Sequence, residues 1–115
     1  MNFKVNERYN SVIIKLKGNV MGGPDAAQFS QELKRLIDEG KKNVVVDLSS
    51  VKFMNSSGLG ILISGLTTMR NAGGDMKLCG ATDRVESLLM VTKLITVFDN
   101  YRTEDEAVAA FEKSE

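Results

Sequence analysis

The run Val44-Val45-Val46 constrains this chain more than any other stretch. Three consecutive β-branched residues, stopped by Asp47, read as a short strand buried on both faces, the pattern of a parallel sheet covered by helices. A mixed polar and apolar connector follows through Phe53 and Met54, and Asn-Ser-Ser-Gly, residues 55–58, then opens a second long apolar segment. Asn and Ser are helix-capping types, and Leu59, Leu62, Ile63 and Leu66 follow them at helical spacing. The chain thus sets Ser56 and Ser57 at a helix start just past the end of a central strand. On these residues alone Ser56 is either a plain N-cap or an exposed, regulated hydroxyl.

The elements around this junction follow from local pattern. Phe3 to Val5 reads as a first strand, and Val12 to Leu16 as a second, with Val12, Ile14 and Leu16 on one face and Lys15 and Lys17 on the other. A turn at Tyr9-Asn10-Ser11 joins them into an antiparallel hairpin. Gly18 to Pro24 reads as a loop, with Pro24 in the first turn of a helix. From Asp25 to Glu39 the apolar positions Phe29, Leu33, Leu36 and Ile37 mark an amphipathic helix that Gly40 ends. The helix from about Ser57 to Asn71 has a wide apolar arc and should be the most buried, with Gly58, Gly60 and Gly65 allowing close approach of a neighbour. Met76, Leu78 and Cys79-Gly80 form a further strand. Thr82 or Asp83 caps a short helix with Val85, Leu88 and Leu89 inward, and Ile95 to Phe98 reads as a short edge strand. Thr103-Glu104-Asp105-Glu106 is a capping box, and the last helix buries Ala107, Val108 and Phe111. The expected fold is α/β, one domain over residues 1–115, with a mixed central sheet of four to five strands, an N-terminal antiparallel hairpin and about four helices.

Composition removes several function classes. Fifteen Lys+Arg offset fifteen Asp+Glu, and no basic cluster stands out, so neither nucleic acid nor a membrane surface is an expected partner. The chain has no histidine and one cysteine, which removes His-based catalytic sets, His-ligated zinc, CxxC pairs and an intrachain disulfide. No metal or cofactor is called for. Gly58-x-Gly60 lacks the further glycine of a dinucleotide fingerprint, and no Gly-Lys-Ser/Thr follows anywhere. Asp47 reads as a turn residue rather than a phosphoacceptor, because no acidic pair ends the first strand. Met54, Met69, Met76 and Met90 read as core filler, although Met21 and Met54 fall on loops beside the serines, where exposed methionines would form an adaptable contact surface. The N-terminus does not read as a signal peptide, no apolar run approaches the ~20 residues that span a bilayer, and the cytoplasm is the expected location.

The strand ending Asp47-Leu48-Ser49, the connector Val51-x-Phe53-Met54, the junction Ser56-Ser57-Gly58-Leu59-Gly60, Gly73-Gly74-Asp75-Met76 and the strand ending Leu78-Cys79, in this element order, resemble the anti-sigma factor antagonist family, built on the STAS domain. The resemblance spans nearly the whole chain. It implies a regulatory protein, not an enzyme, in which Ser56 is the phosphoacceptor and Ser57 its alternate. The implied partner is an anti-sigma factor with serine kinase activity, which binds the unphosphorylated form and so frees a sigma factor. A PP2C-type phosphatase would restore that form. The implied partner-binding surface is Met21, Met54, Asn55, Ser56, Ser57 and Gly58. The family usually has an aspartate where this chain has Asn55, and often another ending a Gly-x-Leu-Asp turn, where this chain reads Gly18-Asn19-Val20-Met21. Two further readings stay open: a STAS-type scaffold or regulatory subunit that never cycles through phosphate, and an enzyme using Ser56 as nucleophile, for which, without histidine, a lysine such as Lys52 would have to serve as base.

Overall fold

The computed structural model describes residues 1–113, with side chains described through residue 111. The strands are β1 (Asn2–Glu7), β2 (Val12–Val20), β3 (Asn43–Met54), β4 (Asp75–Cys79) and β5 (Asn100–Tyr101). The helices are α1 (Pro24–Asp38), α2 (Ser56–Asn71), α3 (Asp83–Val91) and α4 (Glu104–Lys113). The strands form one sheet in sequence order, with β1 antiparallel to β2 and every later pairing parallel. This is the expected α/β hairpin-plus-crossover architecture, and each parallel pairing is bridged by a helix.

Strand alternation decides which residues meet which helix. On one face Val12, Ile14, Leu16, Val44, Val46, Leu48, Met76 and Leu78 pack with Phe29, Leu33 and Leu36 of α1, with α2, and with Val85 and Leu89 of α3. On the other face Ile13, Val45 and Cys79 meet Ala107, Val108 and Phe111 of α4. The valine run alternates between these cores, so every member is buried.

Several local expectations need correction. β2 runs on through Gly18-Asn19-Val20, read above as loop, because Val20 pairs with Met54 after a register shift between Gly18 and Asn19. The connector after Asp47 is likewise strand: β3 extends to Met54. Asp47 is therefore mid-strand and buried rather than a turn residue, and it sits on the α4 face. Ile95 to Phe98 is a turn, and the edge strand lies at Asn100-Tyr101. Asn100 holds that turn by donating from Nδ2 to the carbonyls of Ile95 (3.1 Å) and Phe98 (3.0 Å). At α4 the Thr103 hydroxyl accepts from the Glu106 N–H at 3.2 Å, but the Glu106 carboxylate accepts from Arg102 N–H, one residue before the position a capping box requires. Gly60 faces open space rather than a close neighbour. Met90 is 59% exposed, on the outer side of α3.

Candidate functional site

The site is the β3–α2 junction, built by three fixed contacts. Asn55, with φ −107° and ψ −177°, is the N-cap of α2, and its Oδ1 accepts the Gly58 N–H at 2.8 Å. The cap is thus Asn55, not Ser56, and it leaves both serine hydroxyls uncommitted. Ser56 and Ser57 occupy the first two positions of the helix, both exposed, and no hydrogen bond engages either side chain among the described residues. Gly58 comes third and is buried against the end of β2: a Cβ there would stand 1.9 Å from the Val20 carbonyl oxygen and 3.1 Å from Met54 Cγ. Only glycine lets α2 start so close to β2.

The loop between β2 and α1 closes over the other side of the serines. Gly22, at φ 97°, brings its backbone so near that an added Cβ would lie 2.8 Å from Ser57 Cβ. Beside it Met21 is 43% exposed. Met54, in contrast, ends β3 and is 7% exposed, forming the floor beneath Asn55 and Gly58 instead of a free contact. The structure therefore brings Met21, Asn55, Ser56 and Ser57 to one surface, with Met54 and Gly58 under it.

Three features of this surface were not legible in the sequence. Phe53 is 41% exposed next to the junction, because β3 loses strict alternation where its register with β2 shifts. Phe53 and Met54 continue into a shallow apolar hollow with Leu88 and Val91 of α3. On the opposite side of Ser57, an uncharged groove of about 340 Å³ runs between α1 and α2, lined by Gly22, Gly23, Ser57, Gly60, Ser64 and neighbours. The isolated Gly22-Gly23 pair was the one available signal for that groove.

The electrostatics favour an anion at Ser56. The first turn of α2 carries no acidic residue, and its amides and dipole present positive potential to the serine oxygens. Among the described residues no side chain is hydrogen-bonded to Ser56 as a base would be, and Lys52 is exposed on β3. Among the described residues, no group of three or more acidic or thiol side chains forms a metal site, and no helix is long and apolar enough to cross a membrane.

The STAS domain family model matches residues 2–107. BtrV of Bordetella bronchiseptica, whose name marks it provisionally as an anti-sigma factor antagonist, is 24% identical over 105 residues, covering 91% of this chain and 90% of that protein. The anti-sigma F factor antagonist of Paenibacillus polymyxa is 30% identical over 71 residues, 62% of this chain and 61% of that one. Among solved structures, the Bacillus cell fate determinant SpoIIAA in its phosphorylated form superposes with TM-score 0.73 at 19% identity, covering 96% of this chain and 99% of that chain.

Proposed function

The chain belongs to the STAS domain family, and from the geometry of its β3–α2 junction we propose that it is an anti-sigma factor antagonist switched at Ser56. In this reading the unmodified chain binds an anti-sigma factor through Met21, Asn55, Ser56 and Ser57, over the floor made by Met54 and Gly58, and so releases a sigma factor in the cytoplasm. The anti-sigma factor is also the serine kinase that modifies Ser56, with Ser57 as alternate acceptor, and a PP2C-type phosphatase reverses the step. The names of BtrV and of the Paenibacillus protein support the class of partner. The observation that carries the reading is the free, exposed Ser56 hydroxyl at the first position of a helix capped by its neighbour.

The physics of that position makes a switch that spares the fold. A phosphate at a helix N-terminus meets unpaired N–H groups and the positive end of the dipole, so it does not melt α2. Its charge of about −1.5 to −2 acts instead on whatever docks there. Against a partner carboxylate ~6 Å away, repulsion is roughly 1.4 kcal/mol in water and ~5 kcal/mol at an effective dielectric of 20. That corresponds to roughly tenfold to several-thousandfold in affinity.

Pull-down from lysate with wild type, Ser56→Ala and Ser56→Asp tests the reading. Wild type and Ser56→Ala should retain a histidine-kinase-like ATPase, and Ser56→Asp should release it; retention by all three counts against the switch. Asn55 and Met21, standing where the family usually has aspartates, favour a second reading as a non-cycling scaffold. Under it, the partner binds Ser56→Asp as well as wild type.

A further inference from the structure

At the end of the sheet away from the serine junction, the turn after β1 and the loop before β3 enclose a cavity of about 370 Å³. Val12 and Asn43 begin β2 and β3 here, whereas Val20 and Met54 end the same two strands beside Ser56. Arg8, Asn10, Ser11, Lys41, Lys42 and Asn43 are on its wall. Hydrogen bonds hold that wall in place. The Arg8 N–H donates to the Ser11 carbonyl at 2.8 Å, and Asn43 Nδ2 donates to the Asn10 carbonyl at 3.2 Å. Asn10 Nδ2 donates to the Val108 carbonyl at 3.2 Å, which also fixes the amide's orientation: the atom on its other side is Oδ1, an acceptor only.

Two atoms of this wall find no partner in the protein. Ser11 is 6% exposed, and its Oγ and the Oδ1 of Asn10 are both buried without a hydrogen bond. Buried polar atoms left in that state are costly, and a native domain keeps few of them. A single water takes up roughly 30 Å³, so the cavity has room for a molecule of several heavy atoms. The wall carries three cations against the one carboxylate of Glu7. Lys41 pairs with Glu7 and, at 3.2 Å, with Glu39, and Arg8 pairs with Asp105 at 2.9 Å. Lys42 is exposed and has no ion pair among the described residues. The last carbonyls of α1, which would repel an anion, are closed by the N–H groups of Gly40 and Lys41 bonding to Ile37 and Leu36.

We propose that this cavity binds a small oxyanion that brings its own hydroxyl donor, with hydrogen phosphate and the phosphate esters of polyols as the simplest cases. Anionic oxygens take Lys42 and the Ser11 hydroxyl, and the ligand's O–H donates to Asn10 Oδ1. Free phosphate keeps a P–OH near neutral pH, and a polyol ester carries hydroxyls on its carbon chain. Sulfate, of the same shape, has no donor to give. The site is separate from the serine junction, so its failure leaves the Ser56 reading untouched.

Amide NMR titration of the full chain with inorganic phosphate, sulfate and glycerol 3-phosphate, at low ionic strength so that Lys42 is not screened, tests this. Phosphate should give saturable shifts at Asn10, Ser11 and Lys42, at least about fivefold tighter than sulfate. Tighter binding of glycerol 3-phosphate than of phosphate assigns the site to an ester, and the reverse assigns it to the free ion. Ser11→Ala and Lys42→Gln should each weaken phosphate at least about fivefold, with melting temperature reporting that they fold. Ser11→Ala removes a hydroxyl that makes no bond in the free protein, and should that variant not fold, Lys42→Gln decides. No saturable shift with phosphate or glycerol 3-phosphate, equal affinity for phosphate and sulfate, or wild-type affinity in the folded variants overturns the proposal.

Discussion

Gly58 makes the strictest steric demand at the junction, because the atom its Cβ would strike is backbone: the Val20 carbonyl oxygen, 1.9 Å away. A side-chain neighbour could swing aside, but a strand carbonyl cannot without disturbing β2. Gly58→Ala should therefore cost about 1–3 kcal/mol, in the range of overpacked cores, read as a lower urea midpoint with unchanged m-value. Asn55 is a milder case. Asn55→Ala removes the acceptor for the Gly58 N–H and should cost about 1 kcal/mol. Asn55→Asp keeps the acceptor and adds a charge the helix dipole favours, so its stability should equal or exceed wild type by about 0.3–1 kcal/mol. Thermal unfolding of the pair distinguishes a cap from a residue that matters only to a partner: both variants losing stability equally would contradict the cap. The aspartate the family usually carries here is thus compatible with the same local fold.

At the scale of elements, what could be read in advance was whatever has a local cause. The β-branched run, the 3.6-residue stripe of Phe29, Leu33 and Leu36, and the capping chemistry at Thr82 each specify their element from residues a few positions apart. The element order and the strand directions followed from these. The extensions of β2 to Val20 and of β3 to Met54 have no such cause: those residues are strand because they pair with each other across a shifted register. Gly18-Asn19 is turn-like in composition, and the pairing overrides it. For the same reason the exposure of Phe53 and the burial of Met54 were not legible, since a register shift changes which face each residue takes. The turn from Ile95 to Phe98 shows the converse. Its β-branched residues suggest strand, but Asn100 ties up the carbonyls of Ile95 and Phe98 through its side chain. Asn100→Ala removes both bonds and should lower stability by about 1–2 kcal/mol, measured by urea denaturation; a change within ±0.3 kcal/mol would show that the turn does not need them.

The molecule as a whole divides its core between two sheet faces. One face, under α1, α2 and α3, holds the large core and sets the serine junction at the ends of β2 and β3; on the other, Ala107, Val108 and Phe111 of α4 cover a smaller cluster. Because the junction is fixed by a cap, a glycine contact and a floor methionine that do not involve the Ser56 hydroxyl, a change at that hydroxyl alters the surface and not the body of the domain. The most direct test of this is the affinity of the chain for the proposed serine-kinase anti-sigma factor before and after phosphorylation mapped to Ser56, with melting temperature recorded on both forms. The account predicts at least about tenfold weaker binding with the melting temperature unchanged or slightly raised. Equal affinity of the two forms, or a phosphorylated chain that has lost its fold, would contradict it.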